Sequence, residues 1–423
     1  MRNELKILFS EITLYSSYLS LFFLYFKNFY KKIKLKPVYL FILLPIIWSL
    51  IANFLYIGGW ERDSLWDINV VYCADVAYST GADPYRDWFN SPECQESTPL
   101  QFTYLKLVLD ALPFASFEYD FFEKIWVSFL VIITIFYGFF TAKLFKLETN
   151  IIFNIIFIVV MFQGANVVAL QAGNISAVIY FLVLIAILLL QSYKYRSLFF
   201  LIIAIASFVK FHLALLLLIP FVLDKKFDFK GYIIFFLVLL SLFFLNYIVH
   251  GNFINQWVEN LAYVDWGLGP RFSDISFLQP LWLGKIRDVE FNAIVKVLLI
   301  PLFLINIFYF KTLIKNKFTE EESNDFLLVL TSLIFILVLP RLKVYDFLFL
   351  SCIALKIYTD CIKDMFSSDR LIKAICLGIL LLFYSLLIYW RPQWDGSNNS
   401  YYFCFGLYIL YQFLIYFRCR RSA

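Results

Sequence analysis

The sequence predicts an all-α, polytopic membrane protein of about 12 transmembrane helices. Three observations carry that prediction. The 423 residues are 62% hydrophobic and 21% aromatic but only 16% charged, more apolar surface than a water-soluble core requires. Apolar runs of near membrane-crossing length recur through the chain. Lys and Arg gather at alternate turns between those runs, where headgroups attract them and the positive-inside bias sets orientation. The net charge of +5 therefore belongs to the membrane surface, and the pattern argues against nucleic acid as a partner.

The apolar runs fall at 38–58, 123–142, 149–163, 174–191, 197–210, 211–223, 231–249, 291–310, 325–339, 344–360, 371–390 and 400–417. Each is expected to be helical, because lipid offers the backbone no hydrogen-bond partner. With both termini cytoplasmic, the inner turns are the N-terminal arm and those near Lys143/Lys146, Lys194/Arg196, Lys225/Lys226/Lys230, Lys311/Lys315/Lys317, Lys363/Arg370 and Arg418/Arg420/Arg421, which with flanking Lys356 and Lys373 hold 24 of the 36 Lys and Arg. The stretch from Ile7 to Phe26 is interrupted by Ser10, Glu11, Ser16, Ser17 and Ser20, and no small-residue cleavage site precedes Lys27 to Lys36. Residues 1–37 thus read as a cytoplasmic interfacial helix, with an extra span as the rival. A single membrane domain follows over 38–417, then a cytoplasmic tail at 418–423. Two long outer loops, 59–122 and 250–290, interrupt it, and the first is expected to be helical.

Cysteines offer little chemistry. Seven are scattered without metal-ligand spacing. Cys73 and Cys94 share the first outer loop, where a bridge is open to them if that compartment is oxidising. The other five read as packing within the bilayer.

Polar residues concentrate on the outer side. The first loop interleaves Asp63, Asp67, Asp75, Asp83, Asp87, Glu93 and Glu96 with Trp60, Trp66, Tyr72, Tyr78, Tyr85 and Trp88. Rings that pack on apolar sugar faces beside carboxylates that accept hydroxyl hydrogen bonds suit sugar recognition; an interfacial aromatic belt with solvated acids is the alternative. Asp67 follows the first span closely enough to sit within reach of a lipid headgroup. Gly81-Ala82-Asp83-Pro84-Tyr85 is a turn signal.

The runs 197–210 and 211–223 are each shorter than the roughly 20 residues of a full crossing, so their junction should lie over a depression in the outer face. That junction carries Lys210 and His212, cations suited to a phosphate or, alternatively, to snorkelling toward headgroups. Arg341 and Lys343 form a second basic group in a short outer turn, against the topogenic bias; phosphate binding explains them, as does pairing with Asp346. Gln163 to Asn174 and Arg271 to Ser276 are polar turns able to line a cleft.

In order, these pieces resemble glycosyltransferase family 87, polyprenol-phosphate-mannose-dependent mannosyltransferases of the GT-C type. Asp67 to Tyr72 followed by Gly81 to Tyr85 is similar to that family's D-x-x-V-Y and G-x-x-P-Y segment. Phe102-Thr103-Tyr104 is similar to its F-x-Y element, Gly173-Asn174 to its G-Q/N turn, Val209-Lys210 to its I/V-K turn, and Ser273 to Ser276 to its polar island. The chain departs at Leu105-Lys106 and at Phe211, where the family has proline. The resemblance implies transfer of a hexose, mannose above all, from a polyprenyl-phosphate donor to a lipid-linked or envelope glycan acceptor, at the outer face of a bacterial cytoplasmic membrane. The polyprenyl-phosphate sugar is a co-substrate, and neither metal nor cofactor is implied.

Inverting transfer needs one base for the acceptor proton and cations for the departing phosphate; phosphate leaves unprotonated, so no second acid is required. Asp67 is the expected base. Lys210, His212, Arg341 and Lys343 are the expected phosphate ligands, and Tyr72, Asp83, Tyr85, Tyr104, Asn174 and Ser276 the expected sugar and acceptor pocket. A lipid-linked glycan flippase, or an oligosaccharide polymerase or ligase, is the competing function.

Overall fold

The computed structural model describes residues 65–85, 94, 104–112, 114–147, 170, 172–224, 227–251, 255–257, 289–315, 317–338, 347–365, 370–376, 378–379 and 397–421. The N-terminal segment, the apolar runs 38–58 and 149–163, most of 371–390 and nearly all of the second outer loop lie outside the described residues.

Helices dominate, and there is no strand among the described residues. Within residues 59–122 lie α1 (Trp66–Ser79), the single turn α2 (Leu107–Asp110) and a 3-10 turn, Phe114–Ser116. The apolar runs form α3 (Tyr119–Leu144), α4 (Ser176–Leu190), α5 (Arg196–Val209), a 3-10 segment Phe211–Leu217 continuing into α6 (Leu218–Leu223), and α7 (Phe229–His250). The C-terminal half adds α8 (Val289–Ile314), α9 (Glu320–Val338), α10 (Phe347–Met365) and α11 (Ser397–Arg421).

Two of these, α3 and α7, are long and apolar enough to cross a membrane, and 22 residues of α7 span about 33 Å. Helix α7 buries only Gly231, Phe235, Asn246 and His250, a narrow stripe, and exposes Phe236, Leu237, Leu240, Phe244, Leu245, Ile248 and Val249. Its stripe packs on α5, where a Cβ at Gly231 would come within 2.2 Å of the Phe200 ring. Helix α9 is the opposite case, buried without a break from Phe326 to Val338 as a central helix must be. Tyr137 of α3 donates its hydroxyl to the Ala177 carbonyl at 2.8 Å, joining the α3 and α4 faces.

Polar ties mark one end of the bundle. Gln191 Nε2 donates to the Leu144 carbonyl at 3.2 Å. Arg196, opening α5, pairs with Asp224 after α6 and with Asp228 before α7, and Lys311 of α8 donates to the Asp224 carbonyl at 3.0 Å. Lys146 reaches Glu321, while Lys356 and Arg418 share Asp325, Asp360 and Asp364 across α9, α10 and α11. Basic residues of the turns expected to be inner thus meet at one end. Because the helices alternate in direction, the start of α4, the end of α5 and the end of α7 lie at the other.

Cys73 and Cys94 are bridged, with Cα atoms 5.8 Å apart, and five buried cysteines are free. The bridge staples α1 to the segment leading into α2. Closing a loop of that size removes denatured-chain entropy worth about 3 kcal/mol. Cys94→Ser is expected to lower stability by that order, and a reductant should shift the wild-type melting midpoint but not the variant's.

Candidate functional site

Asp67 opens α1, whose entry is set by Leu65 in a left-handed conformation at φ 62°. The backbone N–H groups of Asp67 and Ile68 both donate to the Ala172 carbonyl, at 3.0 and 3.4 Å. This seats α1 on the turn 172–176 that starts α4. Gly173 turns there at φ 67°, and a Cβ on it would lie 2.7 Å from Leu65 Cδ2 and 2.9 Å from Ile68 Cγ2. Its carbonyl accepts from Trp126 Nε1 of α3 at 2.8 Å.

Asn174 follows, buried, and donates from Nδ2 to Asp67 Oδ2 at 2.9 Å across a sequence separation of 107. Its Oδ1 accepts the Ser176 backbone N–H at 2.8 Å and also the Ser176 hydroxyl. The carboxylate therefore stands beside the positive end of α4, where negative charge is favoured.

One turn into α4, the wholly buried Tyr180 links the remaining parts. Lys210 ends α5 in an extended conformation, half-buried, with Nζ 5.7 Å from the Tyr180 ring centroid. On Tyr180 also stacks Phe349 of α10, with centroids 6.1 Å apart, and Phe349 in turn meets Phe335 of α9 edge-on. Asp67 and Lys210 are thus joined through α4, next to the start of α10. His212 is half-buried in the 3-10 segment, edge-on to Phe211. Arg341, Lys343 and Ser276 lie outside the described residues; the helices flanking the Arg341/Lys343 turn are α9 and α10.

Tyr72 and Tyr85 of the first loop serve packing. Tyr72 is buried, stacks on Phe122 at 5.2 Å, meets Tyr119 edge-on and donates its hydroxyl to the Phe117 carbonyl at 2.9 Å. Tyr85, also buried, donates to the Tyr104 carbonyl at 3.0 Å, and burial pushes its phenol well above the usual range. Asp83 Oδ1 accepts the Tyr85 N–H at 2.9 Å, closing the turn begun by Gly81 at φ 82°. Tyr72 and Tyr85 were expected to face a sugar; both rings are instead core packing, because their hydroxyls find backbone carbonyls there. Asp75, one of the loop carboxylates, is buried and accepts the Ala115 N–H at 2.7 Å. Burial raises its pKa, against the lowering effect of the Ala115 and Phe114 amides.

A second polar group had escaped sequence reasoning. Asp110 of α2 accepts from Tyr78 at 2.8 Å and meets His250 Nε2 at 2.6 Å, while Asn246 Oδ1 accepts the Leu107 N–H at 3.1 Å. Lys106 Nζ lies 4.0 Å above the Tyr78 ring. Burial, then the Asp110 hydrogen bond, pushes the Tyr78 phenol up to about 12, and burial lowers the Lys106 pKa against the pull of Asp83 and Asp110. The cluster clamps α2 onto the end of α7. Its only sequence signal was a lone histidine closing an apolar run.

Among the described residues, no three His, Cys, Asp or Glu side chains gather as a metal ion would require. No protein-family model matches the chain, and no curated protein matches it.

Proposed function

We propose that the chain is a multi-span GT-C-like membrane glycosyltransferase that moves a hexose from a polyprenyl-phosphate donor to a lipid-linked or envelope glycan acceptor on the non-cytoplasmic side. The observation that carries this reading is that Asp67, through Asn174, and Lys210, through Tyr180, both meet the start of α4, at the end of the bundle opposite the basic turns. A carboxylate and a cation that each meet the first turns of α4 suit a reaction in which one group accepts a proton and the other stabilises a leaving phosphate.

In the proposed reaction, Asp67 takes the proton of the acceptor hydroxyl as that oxygen attacks the anomeric carbon from the face opposite the phosphate. The bond to phosphate breaks, its electrons stay on the phosphate oxygen, and the configuration inverts. Lys210 offsets the developing charge, with Arg341 and Lys343 contributed from the turn between α9 and α10. Tyr72 and Tyr85 enter as scaffold. The membrane setting is supported by the apolar faces of α3 and α7, and the outer position of α1 by its disulfide, which persists in oxidising compartments.

Purified protein in lipid discs, given polyprenyl-phosphate mannose, glucose or arabinose with candidate acceptors, should transfer one of these sugars. Failure with all three, together with lipid-linked glycan movement in vesicles, would establish a flippase instead. Lys210→Ala removes one charge-assisted contact and should weaken donor binding about 30-fold. An unchanged donor affinity removes Lys210 from the phosphate site.

A further inference from the structure

We infer that Asn174 is the positioning residue that aims and ionises Asp67, an inference resting on Asp67 being the base of the proposed reaction. The amide of Asn174 has one possible orientation. Its Oδ1 receives the Ser176 backbone N–H at 2.8 Å, and a backbone N–H can only donate, so the opposite side of the amide, Nδ2, faces Asp67 Oδ2 at 2.9 Å. The Ser176 hydroxyl reinforces the same orientation.

The support beneath the amide is rigid. The Ala172 carbonyl holds two N–H groups of α1, and Trp126 holds the Gly173 carbonyl, so donor and carboxylate share one backbone junction. A donor fixed in this way selects one carboxylate rotamer and favours its charged form, which is the form a base requires. The turn 172–176 and the segment Phe114–Ser116 carry no ionisable side chain. Of the other elements packed on α1, α2 brings Lys106 and Asp110 to its far end, and α3 carries Asp120, Glu123 and Lys124 in its first turns. Lys210 meets α4 at Tyr180, with Nζ 5.7 Å from that ring's centroid.

Asn174→Asp is the decisive variant, because an aspartate keeps an acceptor for Ser176 and thus the start of α4, yet turns an oxygen rather than a donor toward Asp67. The expected result is a kcat about 100-fold lower, a donor KM within about twofold of wild type, and an acid limb of the pH–rate profile displaced to higher pH. Asn174→Ala should displace the limb in the same direction by less. Folded Asn174→Asp protein whose acid limb stays at the wild-type position overturns the inference, since a merely structural role lowers activity without moving it. Should Asn174→Asp not fold, the Asn174→Ala profile decides in the same way. Asp67→Asn separates the two ideas: wild-type transfer by that variant defeats the base assignment itself. Its inactivity beside an unperturbed Asn174→Asp profile defeats only the positioning role.

Discussion

Asp67→Asn is expected to abolish sugar transfer while leaving the protein folded and able to bind its donor. The substitution conserves shape, and an amide oxygen at position 67 still accepts from Asn174 Nδ2, so the contact between α1 and the 172–176 turn survives. What disappears is the proton acceptor and its charge. Removing a general base costs about 10² to 10⁴ in rate, so kcat should fall about 1000-fold with donor affinity unchanged. Single-turnover transfer of labelled hexose measures the first quantity and equilibrium donor binding the second. Wild-type turnover would eliminate Asp67 as the base.

Gly173→Ala should be strongly damaging, because it combines a left-handed backbone with a close approach of neighbouring side chains. A left-handed backbone costs an alanine about 1 to 2 kcal/mol, and forcing its Cβ against Leu65 and Ile68 adds overpacking strain, for a total of about 4 kcal/mol. Both obstructing side chains belong to α1 or its entry, so relief of the clash moves the helix that carries Asp67. Stability and transfer rate should therefore fall together, measured by thermal unfolding and by the same transfer assay. Gly81 is the internal control: it has φ 82° but nothing within 4 Å of a Cβ, so Gly81→Ala should cost only about 1 kcal/mol. Equal losses at the two glycines would contradict the close approach of α1 to the turn.

Hydropathy made several of the described helices legible and left their partners hidden. Run 123–142 became Tyr119–Leu144 and run 231–249 became Phe229–His250, each lengthened at its ends by turns that include Asp120 and Lys143 or Lys230 and His250, charged or polar residues that a hydropathy reading trims. The helix Trp66–Ser79 within the loop 59–122 was readable too, as was the break at Lys210. Other features depend on distant chain. Asp75 looked like one more surface acid, since the amides that hold it belong to Phe114 and Ala115. Asn174 looked like a loop amide because its carboxylate partner is 107 residues away. His250 sat one residue beyond an apolar run, where no local periodicity distinguishes a clamp from a helix terminus. The tyrosines misled for a related reason: a ring beside carboxylates has the same local pattern whether it faces a sugar or a neighbouring helix.

The junction between α1 and the 172–176 turn also constrains how the molecule is made. When α1 leaves the ribosome, the carbonyl that will receive its first amides and the amide that will hold Asp67 have not been synthesised; about a hundred residues, including all of α3, must follow. Until then, the only covalent restraint available to the nascent helix is the nearby Cys73–Cys94 bridge. Translation arrested between α3 and α4 would leave α1 with its bridge as its only tether and no seat, with assembly around the acid not yet begun.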